Sequence, residues 1–162
     1  MTQTVPPGAV PGFDRILAFE PGVRAVAVRN VPGTLPIFTT HFPRRPVYPG
    51  ALLLENMAEL AAAVAGSGAW RLSAVIGVRF RHFVAPGDQV EITAEAAGAP
   101  AGPDGAVTTF RASARVEGRT VADVRELVLR DDTAASPGAT GSHTAGTGTG
   151  TGTISEPKGR TA

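Results

Sequence analysis

Apolar and polar residues change rhythm several times along this chain. Phe13 to Glu20 and Val23 to Asn30 are two β-compatible runs joined at Pro21-Gly22, which predicts a hairpin. Val31 to Pro49 holds five prolines and keeps no steady period, so an irregular segment is expected. From Gly50 to Gly66 the rhythm becomes helical. Leu53, Met57, Leu60, Ala61 and Val64 recur at helix spacing, while Leu52, Leu54 and Ala58 cover further faces. A helix apolar on so many sides is expected to be buried rather than to lie on a surface. Pro49 ahead of it and Gly66 with Gly68 behind it suit a start and a stop.

Four more strands are predicted: Leu72 to Val84, Gln89 to Ala97, Val107 to Glu117 and Thr120 to Arg130. Pro86-Gly87, Asp104-Gly105 and Gly118 supply the turns. Alternation puts Ile76, Val78, Phe80 and Val84 on one face of the first, and Phe110, Ala112, Ala114 and Val116 on the inner face of the third. Two strands, one buried helix and four strands make an α+β chain, and a strongly curved antiparallel sheet wrapped around the helix accounts for that order. Residues 1–12 read as an irregular N-terminal segment and 13–130 as the folded domain. The Thr/Gly-rich stretch 131–162 has too little to bury to offset its ordering entropy, so a disordered tail is expected, and His143 inside it needs no role.

Composition narrows the function. With 162 residues the chain is one domain long and able to bury a real core. A net charge of +1 argues against a dedicated nucleic-acid binder. There is no cysteine, hence no disulfide, no thiolate nucleophile and no Cys-based metal site; no metal is expected. No apolar stretch reaches the ~20 residues needed to span a bilayer, and the start lacks the apolar core of a secretion signal. A cytoplasmic protein with no membrane partner is the expectation.

The chemistry concentrates in His41-Phe-Pro-Arg-Arg-Pro-Val-Tyr-Pro-Gly50-Ala-Leu-Leu-Leu-Glu55. His41 exchanges protons near neutral pH. Glu55 lies in the apolar helix, where desolvation is expected to favour the protonated acid, and Glu59 one turn on is expected to add like-charge repulsion. Gly50 stands at the helix start, where free N–H groups and the positive end of the macrodipole gather, and lets a substrate oxygen come close. Taken singly, each has an ordinary structural reading: a solvated loop histidine, a salt-bridged carboxylate, a helix-start glycine. A base, an acid and an oxyanion site together are what β-elimination from a thioester requires.

This segment resembles the motif H-F-P-x-x-P-x-x-P-G of the β-hydroxyacyl-[acyl-carrier-protein] dehydratases of the FabZ/FabA type, with an acidic residue fourteen positions after the histidine. His41, Phe42, Pro43, Pro46, Pro49, Gly50 and Glu55 match it. Phe13 to Glu20 looks like the family's first strand, and Arg79 to Asp88 like its F-x-x-x-V-x-P-G-D segment. The resemblance implies a hotdog fold that dimerises side by side, as a homodimer or with a related chain, or within a larger assembly. His41 of one subunit would then face Glu55 of the other. His41 would take the C2 proton of a 3-hydroxyacyl thioester, Glu55 would protonate the departing hydroxyl, and the Gly50 N–H would hold the enolate-like oxygen. No cofactor is implied beyond the phosphopantetheine of an acyl carrier protein.

The departures border the expected site. Thr40 stands where the family usually has Gly, Arg44 where it often has Gly, and Glu59 where it often has Gln; Val5 to Pro11 replaces an L-P-H-R-x-P-F stretch. Glu59 is the change expected to alter the acid's proton affinity. Arg44, Arg45, Arg79 and Arg81 are either solvated side chains or a docking patch for an acidic carrier protein. His82 is read as a core or interface histidine. Tyr48, Phe38 and Phe42 are candidates to line an acyl tunnel or simply to pack. Two other readings fit the same residues: a hotdog thioesterase using Glu55 or Glu59, and a non-catalytic or half-active subunit completed by a related chain.

Overall fold

The computed structural model describes residues 10–102 and 105–135. Its elements are β1 (Arg15–Glu20), β2 (Arg24–Asn30), a short 3-10 turn (Pro36–Thr39), α1 (Gly50–Ala65), β3 (Trp70–Phe80), β4 (Gln89–Ala96), β5 (Val107–Val116), β6 (Arg119–Asp131) and a second 3-10 turn (Asp132–Ala135). Neighbouring strands are all antiparallel, in the order β1-β2-β4-β5-β6-β3. This six-stranded curved sheet holding one long helix is the α+β arrangement that the sequence predicts and the hotdog fold that the resemblance implies.

Alternation explains the inner face. Along β5, Thr108, Phe110, Ala112, Ala114 and Val116 are buried at every second position, as the pleat of a sheet with one covered face requires. From α1, Leu53, Met57, Leu60, Ala61 and Val64 meet this surface. At roughly 1.5–3 kcal/mol for each large side chain buried, that stripe supplies much of the force joining helix to sheet. The Pro21-Gly22 hairpin is anchored to the far end of the helix, because the Gly22 N–H donates to Val64 O at 2.8 Å.

Three expectations need correction. The helix is not buried all round: Ala51, Glu55 and Glu59, four residues apart, form an exposed line. The strand expected to reach Val84 ends at Phe80, because the N–H groups of Arg81 and His82 both turn to Val121 O. Of the residues expected on one inward face, Ile76, Val78 and Phe80 are exposed and Val84 alone is buried. Strand β6 runs to Asp131, past the expected limit at Arg130, and its end is tied by Asp131 Oδ1, which accepts from the Ala69 N–H at 3.0 Å.

Of the expected irregular N-terminal segment, residues 10–12 are described, with Val10 buried. The remainder of that segment, Asp104 of one expected turn, and the expected disordered tail beyond residue 135 lie outside the described residues. Among the described residues, no helix is long and apolar enough to cross a membrane.

Candidate active site

The irregular segment between β2 and α1 is well tied down despite its prolines. The His41 N–H donates to Ile37 O at 2.8 Å, the Val47 N–H to His41 O at 3.0 Å, and the Tyr48 N–H to Val84 O at 2.7 Å. These bonds close the loop on itself and then join it to the segment after β3. His41 is half-buried, with Nδ1 at 2.9 Å from Val47 O. A carbonyl oxygen only accepts, so Nδ1 carries the proton of the neutral ring and Nε2 keeps a free lone pair. The imidazole is thereby held in a tautomer suited to taking a proton.

The helix supplies the carboxylates. Glu55 and Glu59 line a recess of about 320 Å³ together with Arg29, Tyr48 and Asn56. Leu35, Ile37 and Leu52 give it an apolar side. His41 is not among the residues that line this recess. Nor is Glu55 desolvated by its own chain, since it lies on the exposed line of α1. The expectation that Glu55 is buried inside the helix is corrected accordingly.

Behind the carboxylates runs a buried polar chain. The Tyr48 hydroxyl donates to Asn56 Oδ1 at 2.9 Å, and Asn56 Nδ2 donates to Glu59 Oε2 at 3.2 Å. The Arg29 guanidinium lies 5.9 Å from the Tyr48 ring centroid, within cation–π reach, and its Nη1 donates to Gly12 O. Burial pushes the Tyr48 phenol above its ordinary value; the Arg29 charge opposes this, and Glu59 and Glu55 add to it. Arg29 and Asn56 were not singled out by the sequence. Asn56 reads as one interruption of an apolar period, yet a polar side chain with 5% exposure is the signal that a partner must exist.

Gly50 begins α1, so its N–H lacks an intrahelical partner. Its missing side chain has a reason beyond the one expected. A Cβ there would stand 2.7 Å from Phe80 Cζ, so the ring from β3 rests on the helix start. Phe80 of β3 and Phe83 beyond its end remain 51% and 68% exposed, and Leu72, Ile76 and Val78 of the same unpaired edge strand and Phe42 of the loop are exposed as well. Of the expected tunnel aromatics, Tyr48 lines the recess, Phe38 belongs to the core and Phe42 is exposed.

The four arginines divide. Arg44 and Arg45 are exposed on the loop, with Arg45 lying 5.6 Å from the Phe83 ring centroid. Arg81 is held by Asp123 at 2.7 Å. Arg79 faces a separate hollow beside Arg111, Asp123 and Arg125. His82 is exposed after the end of β3, which corrects its reading as a core residue.

A family model described as "ApeI-like: ApeI dehydratase" matches residues 20–119. A 3-hydroxyacyl-[acyl-carrier-protein] dehydratase FabZ of Anaeromyxobacter sp. (strain Fw109-5) is 36% identical over 129 residues, covering 74% of this chain and 79% of the relative. The corresponding FabZ of Bordetella parapertussis is 34% identical over 125 residues, covering 70% of this chain and 80% of the relative. Among solved structures, the dehydratase heterocomplex ApeI:P from Xenorhabdus doucetiae superposes with a TM-score of 0.54 at 19% identity, over 72% of this chain and 96% of that one. A hypothetical thioesterase with coenzyme A from Streptococcus pneumoniae gives a TM-score of 0.58 at 12% identity, over 76% and 90%. At these identities both structures speak for the fold alone.

Proposed function

The chain belongs to the ApeI-like dehydratase family, and from that premise we propose that it removes water from a 3-hydroxyacyl thioester borne on a carrier protein, leaving a trans-2-enoyl thioester. The observation that carries the residue assignment is the His41 Nδ1 contact to Val47 O, which leaves Nε2 free as the base. In the proposed step His41 Nε2 takes the C2 proton while the Gly50 N–H receives the negative charge gathering on the thioester oxygen. Glu55, as the acid, gives its proton to the C3 hydroxyl. The C3–O bond breaks, a C2=C3 double bond forms, and water leaves.

A second chain completes the site in this reading. The exposed apolar residues of the edge strand β3 suit pairing with another β3, since an unpaired apolar edge is a template for association. Pairing there would put the His41 loop of one chain over the Glu55 line of the other and cover that line from solvent. The partner is a second copy or a related hotdog chain, and the exposure of Glu55 fits either. Arg44 and Arg45, exposed on the same loop, are the proposed contacts for an acidic carrier protein.

The deciding experiment is mass spectrometry of a loaded 3-hydroxyacyl-carrier protein incubated with the chain. Loss of one water, absent with His41→Ala, supports the assignment. Unchanged mass with the chain alone, but water loss once a related hotdog chain is added, identifies a heterodimer subunit. Release of the free acyl group would mark a thioesterase and overturn the proposal.

A further inference from the structure

The recess beside Glu55 is unusual in what it offers an acyl chain. One side is aliphatic, through Leu35, Ile37 and Leu52, but the other presents a guanidinium and a carboxylate from Arg29 and Glu59. These two are not an ion pair; the ion pairs among the described residues are Arg71–Asp132, Arg81–Asp123 and Arg125–Glu126. Both lie against Gly12: a Cβ at that position would stand 2.6 Å from Glu59 Oε2 and 3.1 Å from Arg29 Nη1, so cation and anion approach the same glycine.

Both groups have hydrogen-bonding capacity to spare. A guanidinium carries five N–H donors; Arg29 Nη1 donates to Gly12 O, while its Nε is buried with no hydrogen-bond partner among the described residues. Glu59 accepts from Asn56 through Oε2, which leaves further lone pairs. A saturated chain laid in this recess would strip water from two ions and return nothing to them, a penalty that outweighs burying several methylenes. An anionic chain end would meet Glu55 and Glu59, and a cationic one would meet Arg29. A neutral hydroxyl meets neither objection, because its oxygen accepts from the guanidinium while its proton goes to the carboxylate.

Resting on the dehydratase reading, we propose that this recess selects 3-hydroxyacyl thioesters whose chain carries a further hydroxyl beyond C3, with Arg29 and Glu59 as the specificity-determining pair. At about 320 Å³ the recess lies at the small end of the range of ligand pockets, which suits a short oxygenated chain. A site built to hydrogen-bond a substrate hydroxyl rejects the analogue lacking it far more strongly than an apolar pocket rejects one methylene.

The test separates recognition from chemistry by using His41→Ala chains in their assembled state. Two 3-hydroxyacyl pantetheine thioesters of equal length are titrated by calorimetry, one saturated beyond C3 and one carrying a second hydroxyl. The hydroxylated ligand is expected to bind at least about tenfold more tightly. Arg29→Met and Glu59→Gln, each added to that background, should each bring the two affinities together. Affinities within about twofold before those changes, or a preference that survives both, would overturn the inference. Turnover of the same two thioesters by the wild-type chain is scored separately: absence of water loss sinks the dehydratase reading while leaving the binding result to decide the recess.

Discussion

The Tyr48 hydroxyl donates to Asn56 Oδ1 at 2.9 Å, and this bond orients the amide so that Nδ2 is left to face Glu59. A loop residue thereby sets the rotamer of a helix residue, which in turn anchors the carboxylate at the recess. The arrangement is directional, because a phenol donates and an amide oxygen accepts.

Replacing Asn56 by Leu removes both halves of the bridge and leaves the Tyr48 hydroxyl unpaired. A loss of about 1–3 kcal/mol is expected. Tyr48→Phe alone strands the amide oxygen at similar cost. The double variant should lose less than the two singles summed, because the second change removes a partner already without its bond. Urea unfolding of all four chains checks this; strictly additive losses would mean the bridge does not couple the two residues.

Tyr48 is the chain's single tyrosine, so an ultraviolet titration reports it alone. Burial raises its proton affinity, so the native midpoint is expected above the ordinary 10.0. Arg29 favours the phenolate, hence Arg29→Met should raise the midpoint further, whereas Glu59→Gln should lower it. The linked stability effect has a definite sign. Above pH 10 the unfolded chain gives up this proton before the native one does, so the contribution is whole below that pH and falls as pH rises through the raised native value. A native midpoint at or below the ordinary value would contradict the buried placement.

Gly50→Ala sets a methyl against Phe80 at a separation no real contact shows. The ring is the end of a half-exposed side chain and can swing aside, so the expected cost is toward the low end of overpacking, about 1 kcal/mol. Phe80→Ala should relieve it. If thermal melting shows Gly50→Ala equally destabilising with and without Phe80, the collision is not its cause.

Mixing inactive variants tests the shared site. His41→Ala and Glu55→Gln are each expected to abolish water loss without disturbing the fold. Random pairing of the two makes half the dimers mixed, and each mixed dimer holds one intact site, so about a quarter of wild-type activity should return. No recovery, with exchange of chains verified, would place both residues in one chain's site or outside the reaction.

Much of the fold was legible because its signals are local. The helix announced itself through Leu53, Met57, Leu60 and Val64, and β5 through its strict alternation. Two misjudgements share one cause: apolar side chains look alike whether they meet their own core or another surface. Ile76, Val78 and Phe80 alternate as a buried face would, yet they sit exposed on an edge strand. Glu55 reads as buried because its neighbours along the helix are apolar, whereas its position four residues from Ala51 and Glu59 puts it on the open side. Arg29 was hidden for a different reason. It belongs to β2, far from the motif in sequence, and only the packing of β2 beside the loop brings its guanidinium over Tyr48.

A centre divided between two chains, as proposed for His41 and Glu55, also bears on inheritance. After a gene duplication, a copy that lost the histidine and a copy that lost the glutamate would still assemble one working centre between them. Selection could then hold each copy to half of the chemistry while its idle half drifted, and two such genes would become dependent on each other without any new contact having to evolve.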